Sequence, residues 1–134
     1  MTNTYAPHIG GVARSIQSFA EQYEENGHNV LIIAPTFPED KDHTSKVIRI
    51  PAMQNFNGSD FSVRIALPGY IAETIKAFSP DIIHSHHPFL MGDTAVRIAR
   101  QYQLPLVFTH HTLYEQYTHY TPFNVPAFKE LAKK

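Results

Sequence analysis

The chain of 134 residues reads as an α/β fold, a Rossmann-like and mostly parallel sheet with helices on both faces. Segments with apolar residues at helical spacing alternate with short runs rich in β-branched residues. Those runs are nearly continuous, as expected of strands covered on both faces. Polar loops bearing Gly or His stand beside them: Pro7-His8-Ile9-Gly10-Gly11 opens the first helix, His84-Ser85-His86-His87-Pro88 follows Asp81-Ile82-Ile83, and His110-His111-Thr112 follows Leu104-Pro105-Leu106-Val107-Phe108. Ligands of open parallel sheets bind outside the carboxyl ends of the strands. Three such loops are therefore expected to converge on one cleft.

Each element follows from its local pattern. From Gly11 to Asn26, the apolar residues Val12, Ile16, Phe19, Ala20 and Tyr23 recur at helical offsets, and Gly27 supplies a left-handed stop. Asn29–Pro35 is an apolar run that predicts a strand buried on both faces. Thr36–Ser45 is charged, contains Pro38 and reads as loop. Val47–Ile50 is a second strand ended by Pro51, and Met53–Asp60 is irregular. A helix over Pro68–Phe78 buries Tyr70, Ile71, Thr74, Ile75 and Phe78, and Ser79-Pro80 breaks it. A strand over Asp81–His86, a helix over Gly92–Gln101 and a buried strand over Leu104–Thr109 follow. Thr112–Tyr120 has no clean period, and Val125–Lys134 begins an amphipathic helix. Only Met1–Ala6 precede the Gly-bearing loop, where a first central strand is expected. The fold is accordingly expected to be clipped at both ends.

Composition bounds the function. An apolar fraction of 43% and a charged fraction of 17% are those of a globular chain with one core. A net charge of −1 gives no electrostatic support for bulk nucleic-acid binding. With no cysteine there is neither a disulfide framework nor a thiolate metal site, and the cytoplasm is the expected compartment. No apolar run approaches the roughly 18 residues of a membrane span. Nine histidines at this length call for an explanation.

Each motif carries two readings. Gly10-Gly11 at a helix start serves either as a tight turn and cap, or as bare backbone whose N–H groups meet a phosphate. On a strand of period two, His84 and His86 share a face, and the H-x-H-H spacing raises a metal reading. Carboxylate partners are remote, however: Asp93 lies downstream and Asp81 at the opposite end of the strand. The expectation is no metal, with a His-ligated metal-dependent hydrolase and a non-catalytic binding module as the alternatives. His110-His111-Thr112 either ties the strand end to Tyr114 or Tyr117, or places one imidazole in the cleft as donor to a sugar hydroxyl or phosphate oxygen. Neither a glycosidase carboxylate pair nor a nucleophile elbow stands out.

Taken in order, these residues resemble a known family. Asn3-Thr4-Tyr5-x-Pro7-x-Ile9-Gly10-Gly11-Val12, then Gly27-His28-x-Val30, Pro80-Asp81-Ile82-Ile83-His84-x-His86 and Phe108-Thr109-x-His111-Thr112 are similar to the N-terminal half of retaining GT-B glycosyltransferases. His111-Thr112-x-Tyr114-Glu115-x-Tyr117-x-His119-Tyr120 looks closest to the diacylglycerol glucosyltransferase branch.

The resemblance implies that residues 1–134 form an acceptor-side domain, inactive alone, whose nucleotide-binding partner domain is absent. It implies transfer of a hexose with retention from a nucleotide sugar, UDP-glucose, to a hydroxyl acceptor such as diacylglycerol, with no permanently bound cofactor. Gly10 and Gly11 would approach the donor diphosphate, and His111 would contact the transferred sugar or the acceptor as the catalytic residue. His84, His86, Thr112 and Tyr114 would join the substrate-binding set. Phe128, Leu131 and Lys129, Lys133 and Lys134 carry two readings: a solvated helix face, the commoner cause of such a pattern, or an interfacial helix in peripheral contact with the inner face of the membrane. A bare sheet edge would offer a route to self-association.

Overall fold

A computed structural model describes residues 1–7, 10–36, 46–51, 69–88 and 90–111. The expectations for Pro68, for most of the loops 36–45 and 53–60, for Thr112, Tyr114 and the 112–120 segment, and for the Val125–Lys134 helix lie outside these residues.

The elements run α1 (Gly11–Glu25), β1 (Ile32–Pro35), β2 (Val47–Ile50), α2 (Gly69–Phe78), β3 (Ile83–Ser85), α3 (Met91–Tyr102) and β4 (Leu106–Phe108). Every predicted helix and strand among the described residues is present in the predicted order. β1 is shorter than the apolar run that announces it, since pairing with β2 begins only at Ile32 opposite Val47. Both strand pairs are parallel: β1 with β2, and β3 with β4 in the register Ile83–Leu106 to Ser85–Phe108.

What joins the two pairs is the start of the chain. The Thr2 N–H donates to the Ile33 carbonyl at 3.0 Å, the His86 N–H to the Met1 carbonyl at 3.1 Å, and the Met1 amino group to the His84 carbonyl at 2.6 Å. Met1 and Thr2 thus occupy the central lane between β1 and β3 and restore the expected first strand as a two-residue stub. Burial there lowers the Met1 amino pKa from 8.0 to about 5.

Alternation along the strands sorts the helices to opposite faces. On β1, Ile32 and Ala34 pack with Ile16 of α1, with Val12 and Ala20 beside them. Ile33 turns the other way and joins Ile50, Ile71, Ile75, Ile83, Met91, Ala95, Ile98 and Ala99, a core built by α2 and α3. On β3, Ile83 faces that second core, whereas His84, and His86 just past the strand end, face Phe19 of α1 at ring separations of 5.4 and 5.8 Å. The result is the α/β/α layering of a Rossmann-like fold. α1 stops where expected, at Gly27 with φ +85°.

One expectation fails. The last strand reads as buried, yet Leu106, Val107 and Phe108 of β4 are 38%, 43% and 45% exposed. Among the described residues β4 pairs only with β3 and is packed by α3. Apolar composition signals a strand, but exposure depends on what lies beyond its edge.

Candidate functional site

Parallel pairing places the carboxyl ends of β3 and β4 side by side, so the loops after Ser85 and Phe108 leave the same edge of the sheet. The Thr109 N–H donates to the Ser85 carbonyl at 3.0 Å and carries the register one step further. This brings together side chains 25 residues apart. The His84 and His86 rings lie 4.0 Å apart on the α1 face, as period two requires. His84 Nε2 is 2.7 Å from the Thr109 hydroxyl, and its Nδ1 is 3.4 Å from the Tyr23 hydroxyl. His86 Nδ1 is 2.9 Å from His111 Nε2, with the two rings nearly parallel at 5.2 Å. The adjacent His110 is exposed and turns to Phe108 instead, at 5.9 Å. The two neighbouring imidazoles therefore point apart.

His87 belongs to the frame of the site. Its Nδ1 accepts the Asn3 N–H at 3.1 Å, which makes Nε2 the protonated nitrogen of the neutral ring. Asn3 also accepts the Met91 N–H through Oδ1 at 3.0 Å, and the Asp93 carboxylate accepts the Leu90 N–H at 3.2 Å. The start of α3 is thus satisfied by protein groups. Gly92 explains why that turn sits so close: a Cβ there would come within 2.1 Å of the His87 carbonyl oxygen. Neither Asn3 nor Gly92 stands among the sequence-predicted site residues, although Asn3 opens the motif that carries the resemblance and Gly92 lies beside a His-rich turn.

The cluster is held uncharged. Burial pushes the His86 pKa down to about 3, aided by repulsion from His84, the Met1 amino group, His111 and His87. Burial, then His111 and the Met1 amino group, lowers His87 to about 4. His84 is lowered by burial, the Met1 amino group and His111, and His111 by burial and by His110. Among the described residues no group of three or more His, Asp or Glu side chains is arranged to hold a metal ion.

The Gly pair lies at the same end of the fold, after the central lane of Met1 and Thr2. Gly10 is extended, with φ −158° and ψ 163°, and α1 begins without a side-chain cap. A Cβ on Gly11 would meet nothing within 4 Å. Neither local strain nor packing therefore demands glycine at position 11. A separate apolar cavity of about 160 Å³ runs between α1 and the sheet, lined by Phe19, Tyr23, Val30, Phe78 and Ile82 and reaching His84 and His86. It includes neither the Gly pair nor His111.

The profile of Glycosyltransferase Family 4 matches residues 9–133. This chain belongs to that family. Among its glycosyltransferase relatives, an alpha-monoglucosyldiacylglycerol synthase of Streptococcus pneumoniae is 38% identical over 125 residues, which cover 89% of this chain and 27% of the relative. The synthase of the same name from Acholeplasma laidlawii is 33% identical over 141 residues, covering 99% and 35%. A GDP-mannose-dependent alpha-mannosyltransferase of Corynebacterium glutamicum is 28% identical over 117 residues, covering 84% and 28%. The chain thus spans about a third or less of the length of these relatives. No solved structure gives a significant match. Among the described residues no helix is long and apolar enough to cross a membrane.

Proposed function

We propose that residues 1–134 form the acceptor-side half of a retaining glycosyltransferase that moves glucose from UDP-glucose to diacylglycerol at the inner membrane surface. The observation that carries this reading is the His86–His111 pair at the shared carboxyl edge of β3 and β4, in a family 4 chain. The names of the two synthases support the lipid acceptor and the hexose.

In this reading the α1 start, with Gly10 and Gly11 bare of side chains, meets the donor diphosphate through backbone N–H groups and the helix dipole. His111 contacts the transferred sugar or the acceptor hydroxyl, Thr112 and Tyr114 complete the proposed substrate-binding set, and His84 and His86 form the inner wall. A ring kept neutral suits a front-face transfer in which the leaving diphosphate, rather than a protein nucleophile, is the charge to be stabilised. Binding energy is spent on holding the acceptor hydroxyl and the anomeric carbon on one face. The nucleotide is bound by a second domain, so residues 1–134 alone are inactive. The exposed β4 side chains favour self-association, which size-exclusion chromatography across a concentration series would register as a shift from monomer.

The test is product analysis with the full-length enzyme that carries this domain, supplied with UDP-glucose and diacylglycerol in mixed micelles. An α-linked glucosyl lipid is expected. A β-linkage contradicts retention, and no transfer to diacylglycerol contradicts the acceptor assignment.

A further inference from the structure

We infer that His86 is a positioning residue for His111: His86 Nδ1 accepts the Nε2–H of His111, so that His111 offers a bare Nδ1 lone pair to a substrate hydroxyl. This deepens the glycosyltransferase reading and rests on it for the identity of the substrate.

Two ring nitrogens 2.9 Å apart share one hydrogen: both cannot carry N–H, and both cannot be bare. The surroundings decide which ring donates. His86 is 4% exposed, lies against His84 at 4.0 Å and Phe19 at 5.8 Å, and faces a ring of titratable groups: His84, His87, His111 and the Met1 amino group. His111 is the more open ring, with His110 beside it in the chain. Any proton taken up by the pair settles on His111. With His111 as donor, the bond holds in both of its charge states; the reverse arrangement breaks as soon as His111 protonates.

His86 in turn has little freedom to move. Its backbone N–H is spent on the Met1 carbonyl, its neighbour ring His84 is pinned by the Thr109 hydroxyl, and Phe19 closes the α1 side. His111 therefore inherits a fixed ring plane and a fixed tautomer. The consequence is chemical selectivity. A neutral ring with a bare Nδ1 accepts an O–H and repels a phosphate oxygen, so the group it reads is a hydroxyl, of the transferred sugar or of the acceptor, and not the diphosphate.

Two readouts test this independently of each other. In the 15N-labelled chain at neutral pH, long-range 15N–1H correlation should show His111 with Nε2 protonated and Nδ1 bare. A through-hydrogen-bond N–N coupling to His86 Nδ1 should also appear. A His111 ring with Nδ1–H, or no coupling, overturns the inference whatever the enzyme's reaction. In the full-length enzyme, His86→Leu should lower kcat/KM by about 10–10²-fold, the scale on which partners that orient a reacting ligand act. His86→Asn, which keeps an acceptor near the Nδ1 position, should restore most of it, and His86→Leu should add nothing in a His111→Ala background. Equal losses for Leu and Asn, or additive losses with His111→Ala, overturn the positioning role. If the coupling is present but His111→Ala leaves transfer unchanged, the substrate half of the inference fails together with the functional reading.

Discussion

Two glycines at helix starts make opposite predictions that a thermal melt can separate. Gly92→Ala would set a Cβ 2.1 Å from the His87 carbonyl oxygen and 3.0 Å from its carbon, where real Cβ contacts essentially never fall below 3.0 Å. The obstacle is backbone, and that same oxygen accepts the Ser85 hydroxyl at 3.0 Å, so it is not free to swing aside. About 0.9 Å must come from moving the start of α3 or the His87 turn. Overpacking of this kind costs about 1–3 kcal/mol and occasionally more; with rigid groups on both sides we take the upper end, about 3 kcal/mol. For 134 residues, an unfolding entropy of about 2.1 cal/mol/K per residue converts each kcal/mol to about 3–4 °C. Gly92→Ala should therefore lower Tm by about 10 °C. Gly11→Ala meets open space at an exposed helix position and should leave Tm unchanged or raise it by about 2–4 °C, through the lower chain entropy of Ala. Differential scanning calorimetry of the two variants decides it. A Gly92→Ala melt within 2 °C of wild type, or a Gly11→Ala melt as depressed as that of Gly92→Ala, would refute the packing argument.

Other outcomes follow from the same contacts. Gly11→Val should retain the circular dichroism spectrum yet cost the full-length enzyme most of its rate, with KM for the nucleotide sugar raised; wild-type kinetics would remove the phosphate loop. Acid should loosen the histidine cluster. A ring whose folded pKa lies below 6.5 leaves the unfolded chain binding more protons, so its stabilising contribution is present above about pH 6.5 and is lost as pH falls toward the folded value. For His86, at about 3 when folded, the loss between pH 7 and pH 5 is about 2 kcal/mol, or roughly 7 °C in Tm. His86→Asn should flatten that slope, and an unchanged slope would show the ring to be protonated in the fold.

Local elements were legible because their causes are local. Val12, Ile16, Phe19, Ala20 and Tyr23 announce α1 and its buried face, and Gly27 its end. The shared face of His84 and His86 follows from strand period alone, and the opposed directions of His110 and His111 from the same alternation. What escaped depends on partners distant in sequence. No local pattern says that Met1 and Thr2 insert between β1 and β3, because that lane is defined by carbonyls at positions 33 and 84. The need for glycine at 92 arises from the carbonyl of His87 and not from the helix that Gly92 helps to open. β4 carries an apolar run that reads as buried, but its exposure is set by what covers the edge. The site itself was half visible. The three loops could be named in advance, whereas the pairing of His86 with His111 required the β3–β4 register.

The central claim is that His111 touches the reacting groups, and comparing His111→Ala with His110→Ala tests it most directly. Both variants would be made in the full-length enzyme and assayed for glucosyl transfer to diacylglycerol, with Tm measured on the same samples. Groups that hold a reacting hydroxyl or stabilise developing charge are worth about 10²–10³ in rate. His111→Ala should lose kcat/KM on that scale with little change in Tm, whereas His110→Ala, exposed and turned toward Phe108, should stay within a few-fold of wild type. A larger loss for His110→Ala would move the assignment by one residue, and wild-type rates for both would place the transfer chemistry elsewhere in the enzyme.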